Sequence, residues 1–105
     1  DFIYIDDVVK CIHESLKLAI NTRVSHFFNV LSGKSTNINE LLEMLIKEIG
    51  VNPKVEYKDL PVGDPKVSKG TTKKYTELLG VELDDFIKLQ HGLTKTIKYI
   101  KNEGL

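Results

Sequence analysis

Apolar and polar positions alternate along the chain in ways that predict helices joined by a few extended segments. Phe2, Ile3, Tyr4 and Ile5 form a short apolar, aromatic and β-branched run, and Asp6 and Asp7 behind it offer an N-cap and the negative charge that favours a helix start. A strand or extended segment is therefore expected to run into a helix. Within that helix Val8, Val9, Ile12, Leu16, Ala19 and Ile20 recur at spacings of three and four, which puts them on one stripe, with Lys10, Glu14 and Lys17 outside it and an end near Asn21. The next segment, His26 through Leu31, is apolar on successive positions, as in a strand covered on both faces of a parallel sheet. Ser32 and Gly33 then turn the chain. Asn37 and Glu40 have capping-box spacing, and Ile38, Leu41, Leu42, Leu45, Ile46 and Ile49 follow on one helical face. Gly50 suits a left-handed C-cap and Pro53 blocks continuation. Val55, Glu56 and Tyr57 alternate briefly like an edge strand, and Pro61, Gly63 and Pro65 break regular structure around Asp64 in what reads as the main loop. Thr72 is placed to cap a short helix that carries Tyr75, Leu78 and Leu79 and stops at Gly80. A last helix holds Leu89, Leu93, Thr96, Ile97 and Ile100 on one stripe, and Gly92 inside it implies close packing against a neighbour. There is no internal repeat, low-complexity tract or linker.

Composition narrows the class. A chain of 105 residues, 41% hydrophobic and 29% charged, is ordinary for a folded domain and far from the make-up of disorder. Lys plus Arg and Asp plus Glu both number 15, so neither a nucleic-acid partner nor a cationic membrane surface is implied. No apolar run approaches the ~20 residues of a membrane span. One cysteine, Cys11, cannot form an internal disulfide, so a reducing cytoplasm is the expected location. With neither an initiator methionine nor a charged leader, the first residues read as a chain entered midway, a single region over 1–105.

Candidate chemistry is sparse. Residues 28–36 read FNVLSGKST, a strand-to-helix turn through Gly-Lys-Ser, but a phosphate-binding loop needs a glycine five positions before Gly33, and Phe28 stands there. Seven scattered glycines supply no dinucleotide fingerprint. Tyr4, Tyr57, Tyr75 and Tyr99 are followed four residues later by Val8, Pro61, Leu79 and Glu103, so no Tyr-x-x-x-Lys pair exists. Cys11, His13, His26 and His91 lack ligand spacing, which leaves no metal site to assign. Asp6 and Asp7 read as helix-start residues rather than paired catalytic carboxylates. Lys66, Lys69, Lys73 and Lys74 form the one notable charge cluster, and they follow a Gly-Asp loop where an anion can bind.

In order and spacing, DFIYIDDVV, FFNVLSGKSTNINELLEMLIKEIG, VGDPKVSKGTTKKYTELLG and HGLTKTIKYI resemble the C-terminal third of extended short-chain dehydrogenase/reductases, the family of UDP-glucose 4-epimerase and the nucleotide-sugar 4,6-dehydratases. The resemblance covers almost the whole chain. It implies an α/β fold class, here the substrate-binding region of such an enzyme, mostly helices with a few short strands, lacking the Rossmann core. It implies that NAD and the catalytic Ser/Thr, Tyr and Lys belong to a separate N-terminal Rossmann domain, so this chain carries no catalytic and no cofactor-binding residue. Its expected partners are a nucleotide-diphosphate sugar and that Rossmann domain, at the edge of whose sheet the 27–31 strand would lie. Apart from the resemblance, Phe27, Phe28, Val30 and Leu31 leave no side of that strand polar, so it can pair with that domain or with a second copy as a homodimer. In the family an Arg-x-Gly-Asp motif grips the diphosphate. Pro61, Val62, Gly63 and Asp64 stand at that place, so Asp64 is kept and the arginine is not; Gly70 and Thr71 replace the Ala-Asp that follows. The substrate-binding candidates are accordingly Gly63, Asp64, Lys66 and Lys69. The alternative is a non-catalytic binding or interaction module that kept the fold and lost the chemistry.

Overall fold

The structure, a computed structural model, describes residues 1–104. Among the described residues four helices form: α1 (Ile5–Thr22), α2 (Ile38–Ile49), α3 (Lys73–Leu79) and α4 (Leu89–Glu103), with a 3₁₀ turn at Leu83–Asp85 before the last. The expected α2 is present in detail: the Asn37 side chain accepts from the Asn39 amide at 2.8 Å, Glu40 accepts from the Asn37 amide at 3.0 Å, and Gly50 closes the helix at φ 75°. α3 ends at Gly80 as expected, though the Thr72 side chain makes no cap bond and Thr71 Oγ1 meets the first amide instead. α1 departs from expectation at its start. It begins at Ile5, and the amides of Asp7 and Val8 bond to the Tyr4 carbonyl, so Asp6 and Asp7 lie in the first turn rather than at the cap.

Among the described residues no β-strand forms, which corrects the strands expected at 2–5, 26–31 and 55–57. A strand is defined by a hydrogen-bonded neighbour, and none of these segments has one. Residues 25–30 show why. His26, Phe28 and Val30 are half-buried against α1 and α3, whereas Ser25, Phe27 and Asn29 point outward, so one side of the segment is covered and the other is bare. Phe27 is 84% exposed.

The core is small and one-sided. Cys11 of α1 and Tyr75 of α3 are fully buried and meet Leu31, Val81 and Phe86, with Ile3, Phe28 and Leu83 around them. α1 therefore packs on α3, and α2 packs on α4 as a second pair. Asp7 ties the pairs together, its buried carboxylate accepting the Ile87 amide at 2.9 Å. The Tyr4 ring lies against Gly92, where an added Cβ would stand 3.0 Å from its Cδ2; this is the close packing that Gly92 implied.

The apolar stripe of α1 faces outward. Ile5, Val9, Ile12, Leu16 and Ile20 are between 55% and 76% exposed, while the less apolar side, bearing Asp7, Cys11 and Ser15, meets the core. The radius of gyration is 16.9 Å, against about 13 Å for a compact chain of this length.

Candidate functional site

Three stretches far apart in sequence converge on an open groove of about 710 Å³. Asp1 and Phe2 form one wall, residues 35–38 with Glu40 form the second at the start of α2, and residues 65–69 form the third. Each has a local cause. Asp1 Oδ1 accepts the Ser32 amide at 2.8 Å, which fastens the first residues to the turn after the core segment. The capping box fixes the first turn of α2. The loop is drawn in by Gly70, where a Cβ would approach Leu31 Cδ1 to 3.1 Å.

Of the four residues expected to bind substrate, Lys66 and Lys69 line this groove. Gly63 and Asp64 do not. They belong to a tight turn in which the Asp64 amide bonds to the Pro61 carbonyl at 3.1 Å and Gly63 takes φ 95°, the left-handed geometry that the third position of a type II turn requires. The lysine cluster is divided as well. Lys73 reaches Glu77 at 4.0 Å and the Lys74 ammonium donates to the Phe27 carbonyl, both away from the groove.

Lys66 and Lys69 enter no ion pair among the described residues, so their charge is open to a ligand. Ser35, Thr36 and Ser68 add hydroxyls, and Phe2, Ile38 and Val67 add apolar surface. Such a lining suits a ligand that joins an anionic group to hydroxyl-bearing and flat parts. Asp1 and Glu40 place negative charge on the other side, and the Glu40 carboxylate is already engaged by the Asn37 amide.

The buried titratable groups lie elsewhere. Burial pushes the Cys11 thiol up from its ordinary value, with Asp7 adding repulsion, so it is held as an unreactive thiol. Burial likewise raises the Tyr75 phenol, whose hydroxyl donates to the Leu31 carbonyl. Both groups serve the core. A second recess, shallow and apolar, runs between α1 and residues 24–28, with Ile12, Leu16, Val24 and Phe27 on its walls. Among the described residues no helix is long and apolar enough to cross a membrane.

Along nearly its whole length the chain is similar to part of nucleotide-sugar epimerases. It is 32% identical over 102 residues to UDP-glucuronate 4-epimerase of Thermodesulfobacterium geofontis (strain OPF15), an alignment that covers 96% of this chain and 30% of that protein. It is 29% identical over 104 residues to ADP-L-glycero-D-manno-heptose-6-epimerase of Nitratidesulfovibrio vulgaris (strain DP4), covering 93% and 30%. The chain thus spans 30% of the length of these curated relatives. No family model matches it, and no solved structure matches it significantly.

Proposed function

We propose that this chain is the nucleotide-sugar-binding part of an NAD-dependent nucleotide-sugar epimerase or dehydratase. The carrying observation is that two epimerases of different sugar nucleotides align with more than nine-tenths of the chain while the chain accounts for 30% of each. What the chain itself contains supports the substrate side: it has a groove with two open lysines and no glycine-rich turn after a first strand. In this reading Lys66 and Lys69 neutralise the diphosphate, with the Gly63–Asp64 turn beside them, and NAD is held by a separate Rossmann domain in a cytoplasmic enzyme. That domain covers the outward stripe of α1 and the bare side of residues 25–30. Catalysis would then require groups from both parts, and the chain alone is inactive.

Calorimetric titration of the chain with UDP-glucuronate and with NAD tests the proposal. Saturable binding of the sugar nucleotide and no heat with millimolar NAD are expected. NAD binding tighter than about 100 μM, roughly −5.5 kcal/mol, would overturn the assignment to the substrate side. One observation favours a non-catalytic binding module instead: Pro61 stands where the resemblance calls for arginine. That reading predicts no sugar-nucleotide binding at all.

A further inference from the structure

We infer that Gly92 is a positioning residue for the groove: lacking a side chain, it lets the Tyr4 ring close on α4, and that contact sets where Asp1 and Phe2 stand relative to the first turn of α2. The inference rests on the reading of the groove as a ligand site. The walls belong to different halves of the molecule. Asp1 is fastened to the α1·α3 half through the Ser32 amide, whereas Asn37 and Glu40 ride on the α2·α4 half, where Gln90 of α4 bonds to Glu48 of α2 at 3.0 Å. Tyr4 sits between them. Its carbonyl receives the Asp7 and Val8 amides at 3.1 and 3.3 Å, which makes it the root of α1, and its ring lies on Gly92.

A methyl group at position 92 would meet Tyr4 Cδ2, Cγ and Cβ at 3.0, 3.4 and 3.5 Å. Cδ2 turns with the ring whereas Cγ and Cβ do not, so an added methyl needs a shift of a few tenths of an ångström and a longer side chain needs more. Lys95 holds the ring as well, its ammonium 5.2 Å from the centroid and 3.5 Å from the Asp6 carboxylate. The halves themselves can yield. A partly open apolar gap of about 190 Å³, walled by Tyr4 and Gly92 themselves with Phe2, Leu41, Leu45 and Leu93, opens at the contact, so the joint is not densely packed. Bulk at 92 therefore moves α4, and α2 with it, away from residues 1–4, and the groove widens. Glycine is among the poorest helix formers, so its place in the middle of α4 costs helix stability that this close approach offsets.

The test uses UDP as the probe and amide exchange at Ile87, whose amide bonds to Asp7 across the two halves, as a readout that needs no ligand. Gly92→Leu should raise the UDP dissociation constant about tenfold and Gly92→Ala should raise it less, in the same direction. Exchange of the Ile87 amide should quicken in both, while amides of α1 and α3 near Cys11 keep their protection. Tyr4→Ala placed in the Gly92→Leu background should restore both readouts, because the ring is what the added side chain meets. Unchanged Ile87 exchange in both variants, or a loss of affinity that Tyr4→Ala does not reverse, overturns the inference. If the unaltered chain does not bind UDP, the functional proposal falls instead, and Ile87 exchange with its rescue decides the joint alone.

Discussion

Two buried polar side chains set how this small core responds to change. The Tyr75 hydroxyl satisfies the Leu31 carbonyl inside the core, so Tyr75→Phe keeps the ring but leaves a buried acceptor unpaired. A loss of about 1–3 kcal/mol is expected in urea denaturation, with the slope unchanged. Burial also raises the Cys11 thiol above its ordinary 9.0 and the Tyr75 phenol above 10.0. Above pH 9 the unfolded chain then binds fewer protons than the folded one, so stability is intact below that point and falls as pH rises through the folded values. Cys11→Ala should flatten the first part of that decline, and a stability profile that stays level through pH 10 would count against the buried thiol. At the groove, a lysine is a point charge and not a planar fork, so the binding proposed for Lys66 and Lys69 should weaken steeply with salt. Lys66→Ala with Lys69→Ala should cost about 1–3 kcal/mol of UDP-glucuronate affinity, and Pro61→Arg should recover part of it. Equal affinity of the double variant across the salt range would show that the phosphates are held elsewhere.

At the level of elements, what was legible in the sequence was what local chemistry decides. α2 is written into Asn37, Glu40 and Gly50, three residues within or beside the helix they bound, and Asn37→Ala should lower stability by about 1 kcal/mol in thermal unfolding, with Asn37→Ser close to neutral. The helical faces of α3 and α4 and the role of Gly92 were equally open to reading. The strands were not, because a strand exists only beside another, and an apolar run such as 26–31 does not say whether a neighbour is present. Asp7 reads as a cap in the sequence for a similar reason: its partner is the Ile87 amide, eighty positions away, which no local pattern reveals. The groove divides along the same line. Lys66 and Lys69 stand out in the sequence because they follow one loop, whereas Asp1, Phe2 and Asn37 reach the groove only through tertiary contacts at Ser32, Tyr4 and α4. The pattern of α1 places Val9, Ile12, Leu16 and Ile20 on one stripe as the structure does, but it also includes the half-buried Val8, omits Ile5, and does not say toward what the stripe points.

That stripe governs the behaviour of the whole molecule. Its accessible surface is 8,573 Å², whereas a compact monomer of this size exposes about 5,900 Å², an excess of roughly 2,700 Å². A stable association buries about 800 Å² on each partner, so the excess is ample for one. The surface is also of the right kind, since Ile5, Val9, Ile12, Leu16 and Ile20 run along one face of α1 and continue into Val24 and Phe27 across the shallow recess. When the chain is alone in solution, the apolar area available to cover this face belongs to a second copy. Sedimentation at rising concentration should therefore show self-association, accompanied by binding of a hydrophobic dye that lessens as the copies pair. Ile12→Lys with Leu16→Lys should shift the equilibrium toward monomer without unfolding the chain, because both side chains are already more than half exposed and neither belongs to the Cys11–Tyr75 core. A chain that stays a monodisperse monomer at high concentration and binds no dye would mean that the outward stripe is tolerated in water, and the assignment of this face to a partner would then fail.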